Sequence, residues 1–148
     1  MPAWIQAGFE EYARRMPREM PLQLIELKPE ARHDEPGTAA AQRLLEKEAQ
    51  RIEAALPKDA LAVVLDETGK SVTTQQLARR MGEWRANGRD VAFVIGGADG
   101  TAARLKTAAG WLWSLSPLTL PHGLVRVVLA EQLYRALSIL SNHPYHRA

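Results

Sequence analysis

Apolar positions along the 148-residue chain switch between a helical period and short unbroken runs. From Pro2 to Met16, the residues Ile5, Phe9, Tyr12 and Met16 recur at helical spacing, and Pro17 and Pro21 stop that helix. LQLIEL, Leu22 to Leu27, reads as a strand and KPEARHDEPG as a polar loop. Thr38 caps a helix through Leu56, which Pro57 ends. LAVVLD, Leu61 to Asp66, is a run typical of a strand buried on both faces. Thr73 with Gln76 then forms a capping-box pattern, and a helix runs to about Ala86, where Asn87-Gly88 closes it. VAFVIGG is another buried strand, and a short helix follows from about Thr101. SLSPLTLP reads as a last short strand before a long helix from about Leu124 to Leu140.

Strands alternating with helices predict an α/β fold, a parallel sheet covered on both sides and joined by right-handed crossovers. The length and a 46% hydrophobic content fit one domain, residues 1–148, with a real core. The last helix stands out, because only Arg126, Glu131, Gln132, Arg135 and Ser138 are polar between Leu124 and Leu140. One face is expected on the sheet and another on a second subunit, a central buried helix being the alternative.

Composition narrows the chemistry. With no cysteine, disulfides, thiolate zinc sites and a cysteine nucleophile are all excluded. No run approaches a membrane span, and the acidic N-terminal stretch is unlike a signal peptide, so a cytoplasmic protein is expected. The net charge of +2 leaves only a mild basic bias toward a polyanion; Arg79, Arg80, Arg85 and Arg89 either track phosphates or form a solvated face.

LAVVLDETGKS invites a phosphate-loop reading but has Val64 where that loop needs glycine, so GKS reads as a turn. IGGADG, Ile95 to Gly100, lacks the spacing of a dinucleotide fingerprint, yet glycines at the end of a buried strand admit close approach by a ligand. LDETG, IGGADG and LSPLTLPHG all fall where open parallel sheets bind ligands. Pro117 and Pro121 stiffen the last of them, so that its backbone groups can meet an adenine-like base between apolar walls. No metal is expected: Pro144 opposes a helix that would pair His143 with His146.

Gly-Arg-Asp at 88 to 90, IGGADG, WSLSPLTLPHGLVRVVLAEQLYRA from Trp113 to Ala136, and the terminal SNHPYHR together resemble the RlmH family. These are bacterial SPOUT-class methyltransferases of large-subunit (23S) ribosomal RNA, and the likeness covers nearly the whole chain. The resemblance implies a knotted α/β fold, a homodimer, and S-adenosylmethionine as donor for methylation of N3 of a pseudouridine, with no metal. It places the donor against Leu65, Gly97, Ser116, Pro117, Leu118, Thr119, Leu120 and Pro121. Members of the family usually begin with a strand of about ten residues ahead of the segment matching MPAWIQAGFEEY, so the sheet of this chain is expected to have an unfilled strand position.

Within that frame NHPYHR carries the candidate chemistry. His146 positions or deprotonates the base, Arg147 holds a phosphate or a developing oxyanion, and Tyr145 stacks on a nucleobase. The alternative is a tail that merely pins the C-terminus. His122 and Glu131 are the remaining candidates, Glu131 with an ordinary helix ion pair to Arg135 as its other reading. A non-catalytic RNA- or ribosome-binding module on the same scaffold is the competing function.

Overall fold

The computed structural model describes residues 1–28, 37–97 and 100–147. Its elements are α1 (Ala3–Ala13), α2 (Ala39–Ala55), β1 (Leu61–Lys70), α3 (Thr74–Ala86), β2 (Val91–Ile95), α4 (Ala103–Ala108), β3 (Trp111–Trp113) and α5 (His122–Leu140). The three strands form one parallel sheet in the order β2-β1-β3. Caps fall where the sequence places them. The Thr38 hydroxyl accepts from the Ala41 N–H, and Thr73 with Gln76 closes a reciprocal capping box. Gly88, past the end of α3, has φ +63°, a conformation that only glycine adopts without strain.

β1 is the centre of the sheet. Val63 and Leu65 point to a face packed by Leu77, Ala78 and Met81 of α3 and by Leu129, Leu133, Ala136 and Leu137 of α5. The alternate positions Val64 and Val94 are buried as well, so both faces are covered. Trp111 and Trp113 of β3 stack with ring centroids 4.7 Å apart, and Arg80 lies 4.2 Å over the Trp111 ring. That placement ties Arg80 to the core edge, leaving Arg79, Arg85 and Arg89 exposed. α3 and α5 run side by side in the same direction. Thr74 bonds Gln132, and eight residues further along both helices Gly82 meets Leu140.

Three expectations are corrected. Gly69-Lys70 is no turn: β1 continues through it past an irregularity and pairs Lys70 with Trp113. The cause is steric, since a Cβ at Gly69 would lie 2.6 Å from the Leu112 carbonyl oxygen, so glycine alone allows the two backbones to close. The last strand is Trp111–Trp113, ahead of SLSPLTLP, which forms a loop because neither of its two prolines has an N–H to donate to a ladder. α5 accordingly starts at His122, two residues before Leu124, with Pro121 as its N-cap.

The third correction is LQLIEL, which forms no strand. The segment is held from outside the sheet, by Arg126 of α5 on the Glu26 carboxylate and by Arg51 of α2 on the Lys28 carbonyl. Between it and the free edge of β2 lies a cleft of about 1190 Å³ lined by Phe9, Leu24, Phe93 and Ile95 among others, with Met1 at its border. A strand pairs only with a neighbour about 4.8 Å away, and here that place is open. Leu24, Ile25 and Leu27 are therefore left exposed, Ile25 by 52%. Among the described residues β2 has β1 as its one strand partner, on the edge where the family resemblance leads to the expectation of a further strand. The polar loop expected after LQLIEL lies, from Pro29 to Pro36, outside the described residues. Among those described, no helix is long and apolar enough to cross a membrane.

Two outcomes follow from this packing. Gly69→Ala should cost about 2 kcal/mol, read as a lower urea midpoint, because β3 must move off β1. Supplying an apolar strand of about ten residues ahead of Met1 should raise Tm by about 5–10 °C and slow hydrogen exchange at Val91–Ile95. An unchanged Tm with a still rapidly exchanging β2 would mean that the cleft does not take a strand.

Candidate functional site

Three chain segments meet at the carboxyl edge of the sheet. The first is the end of β1. Burial works against the charge of Asp66, but hydrogen bonds from Thr68 and Lys106 outweigh it and hold the carboxyl below its ordinary value. Lys106 Nζ lies 3.1 Å from Asp66 Oδ1, which fixes α4 to β1.

The second segment follows β2. Gly97 and Gly100 form an isolated bridge, with the Gly100 N–H on the Gly97 carbonyl at 3.0 Å and Gly100 at φ +82°. Ala98 and Asp99 of this motif lie outside the described residues. Gly96 and Gly97 differ in what surrounds them. A Cβ at Gly96 would collide with the Gly100 backbone at 2.7 Å, whereas one at Gly97 would meet only Glu48 Oε2, at 3.8 Å. Among the described residues, a side chain at Gly97 would thus clash with nothing and touch only Glu48.

The third segment is Ser114 to Pro121. The Ser114 hydroxyl donates to the Ser116 carbonyl and the Leu118 N–H donates to the Ser116 hydroxyl, which folds the loop on itself. Thr119 donates to Glu67 Oε2 at 2.6 Å and so joins this loop to the end of β1. Leu118 is 69% exposed and Leu120 half-buried, giving the loop an apolar rim. Leu65, by contrast, is buried in the core cluster and is paired with both Ile95 and Trp113, so its side chain is closed to a ligand. Bare backbone at Gly97, a folded rigid loop and an apolar rim fit a purine-bearing ligand.

The tail does not fray. The His143 N–H donates to the Ser138 carbonyl at 2.9 Å, and the Tyr145 N–H to His143 Nδ1 at 3.2 Å. Tyr145 packs edge-on against Tyr134, with centroids 4.7 Å apart, and lies under the Arg135 guanidinium. Glu131 is the hub. Its carboxylate accepts from Arg135 Nε at 2.7 Å, from the Tyr145 hydroxyl at 3.1 Å and from the Gln132 amide at 2.8 Å. The Glu131–Arg135 helix pair is therefore present and also anchors the tail. Burial, then the Glu131 charge and hydrogen bonding with Tyr12, push the Tyr145 phenol up to about 12. It stays protonated at neutral pH, a donor and stacking surface rather than a base. The hydrogen bond from Arg135 to Glu131 outweighs burial and raises the guanidinium further, keeping it charged.

His146 lies between Arg135 and Gln75, and Arg147 is exposed beyond it. His122 stands apart. It opens α5 and borders the cleft beside β2, about 13 Å along the helix axis from Glu131 at 1.5 Å per residue. The structure thus brings together Glu131, Tyr145 and His146, and it separates His122 from them. Sequence reasoning missed Gln75, Tyr12 and Glu67. Nothing local marks Gln75 as the partner of a residue 71 positions away, while Glu67 lies inside LDETG and was open to notice as a polar group facing the proline loop.

A family model described as "Predicted SPOUT methyltransferase" matches residues 1–146. Ribosomal RNA large subunit methyltransferase H from Burkholderia mallei (strain SAVP1) is 60% identical over 148 residues, which are 100% of this chain and 93% of the relative. The protein of the same name from Burkholderia pseudomallei (strain K96243) matches to the same extent. The matched span takes in the sheet, its three carboxyl-edge loops and His146 in the docked tail, and on that footing the chain belongs to the SPOUT methyltransferase family.

Proposed function

We propose that this chain methylates large-subunit ribosomal RNA, with S-adenosylmethionine as donor and N3 of a pseudouridine as the acceptor atom. The observation that carries the reading is the carboxyl edge of the sheet, where the glycines Gly96 and Gly97 follow β2 and the loop after β3 is tied to β1 by Thr119 on Glu67. Gly97, Ser116, Pro117, Leu118, Thr119, Leu120, Pro121 and the backbone of Leu65 hold the donor, Leu118 and Leu120 supplying apolar walls. The bound sulfonium supplies an electrophilic methyl group. The protein's share is then to orient the acceptor, keep water out and handle the N3 proton. Orientation alone is worth several kcal/mol, up to roughly 7–11 in ideal cases.

The tail supplies the acceptor side. Tyr145 and Arg135 offer a ring and a guanidinium for stacking, while Arg147 is exposed for a phosphate or for the oxyanion that develops on the base. His146 positions or deprotonates the base, and His122, at the other end of α5, belongs to the donor side. Arg79, Arg85 and Arg89 extend the cationic surface along α3.

The working unit in this reading is a cytoplasmic homodimer of knotted chains. Leu124, Val125, Val127 and Val128 of α5 are only half-buried by their own subunit, and Trp4 on the adjoining α1 is 62% exposed. An apolar strip of this kind suits a twofold contact, across which one tail closes the partner's donor site.

Gly97→Val should keep the wild-type Tm within a degree or two, since its Cβ would make only an ordinary contact with Glu48 at 3.8 Å, while weakening S-adenosylmethionine binding by tenfold or more in calorimetry. Unchanged donor affinity in the folded variant would overturn the site. Deleting Asn142 to Ala148 should abolish methyl transfer to ribosomes lacking the modification. Light scattering should still report a dimer, and most donor binding should remain. Full activity in that truncated dimer would reduce the tail to an anchor and leave the N3 proton to Glu131 or His122.

A further inference from the structure

Two side chains flank the His146 ring, and what each can donate or accept constrains its tautomer. Arg135 Nη1 lies 3.3 Å from Nδ1, and the Gln75 side-chain amide lies 3.5 Å from Nε2. A guanidinium has five donors and no acceptor, so Nδ1 must offer its lone pair. A neutral imidazole then carries its proton on Nε2. With that nitrogen a donor, the amide NH₂ of Gln75 cannot be its partner, and the amide must present its carbonyl oxygen instead, an exchange of two atoms that occupy nearly the same space.

We propose that Gln75 and Arg135 are positioning residues that hold His146 as the Nε2–H tautomer, so that His146 serves the reaction as a hydrogen-bond donor to a base carbonyl. Glu131 completes the device. By accepting from Arg135 Nε it turns the other end of the guanidinium toward Nδ1, and by accepting from Tyr145 it fixes the chain one residue before His146. While Arg135 occupies Nδ1, the ring has no lone pair with which to take the N3 proton. What it does have is an N–H aimed at the Gln75 carbonyl, and a uracil-type ring carries carbonyl oxygens on both sides of N3. Substrate entry is then an exchange of one carbonyl for another: the base displaces Gln75 and inherits its hydrogen bond, which draws charge from the oxygen while solvent hydroxide takes the N3 proton, leaving water, and the freed N3 lone pair accepts the methyl group from the sulfonium, leaving a neutral thioether. This role for His146 rests on the methyltransferase reading above, whereas the tautomer itself does not.

The test therefore has two arms. Imidazole nitrogens are observed by NMR in the full chain labelled with ¹⁵N-histidine at about pH 8, with His146 assigned from the missing signals of His146→Ala. The expected result is a proton on Nε2 and none on Nδ1. Gln75→Glu, which still accepts, should preserve that pattern, and Gln75→Lys, which only donates, should scramble it. Gln75 is exposed on the first turn of α3, so both variants should melt near the wild type. In methyl transfer, Gln75→Lys should lose about tenfold in kcat, the worth of one hydrogen bond, with the donor KM unchanged, and Gln75→Glu should restore most of it. A proton on Nδ1 in the wild type, or equal behaviour of the two variants in both arms, overturns the proposal. The Nε2–H pattern in a wild-type protein that transfers no methyl group would overturn the functional reading and the donor role while leaving the tautomer standing.

Discussion

A parallel strand buried on both faces can satisfy its backbone only sideways, and β1 is the strand on which this constraint falls. It pairs β2 on one edge and β3 on the other, and the second pairing is made possible by a residue that gets out of the way. On the β3 side this is Gly69, whose missing side chain admits the Leu112 backbone. Because β1 lies between its two partners, the segments that leave the strands converge at one end. The Asp66–Lys106 pair and the Thr119–Glu67 hydrogen bond then join loops that are far apart in sequence. The ligand edge is thus a consequence of how the central strand is paired.

α5 couples this edge to the tail. Its second half lies along α3 and contributes Leu129, Leu133, Ala136 and Leu137 to the core, so its orientation is set by burial. The polar residues on the same helix inherit that rigidity. Glu131 and Arg135 are held where the chain beyond Ser141 folds back, and one carboxylate gathers a helix arginine and the Tyr145 hydroxyl. Two charges and a phenol in partly buried surroundings are costly unless each finds a partner, and here each does.

Much of this was legible in the sequence because it is local. The capping box at Thr73 and Gln76, the apolar run from Leu61 and the Asn87-Gly88 stop depend on residues within a turn of one another, and they fall where they were read. What failed depends on distant partners. LQLIEL has the composition of a strand and lacks a neighbour to pair with. Gly69-Lys70 has the composition of a turn, and the approach of Leu112 draws it into β1. In the candidate site, the glycines and prolines marked the carboxyl edge of the sheet, since such residues signal backbone geometry directly. The tail was legible as unusual, but the partners that hold it, Tyr12 and Gln75, carry no local mark.

The open side of β2 has a consequence for handling the protein. Five residues of unpaired backbone beside Leu24, Ile25 and Leu27 form a surface that any extended apolar segment can zip onto, including the same surface of another molecule. Nothing charged within Val91–Ile95 discourages such contact. Colloidal behaviour should therefore follow concentration and partial unfolding more closely than the modest net charge suggests, with β-rich, non-native association as the characteristic mode of loss.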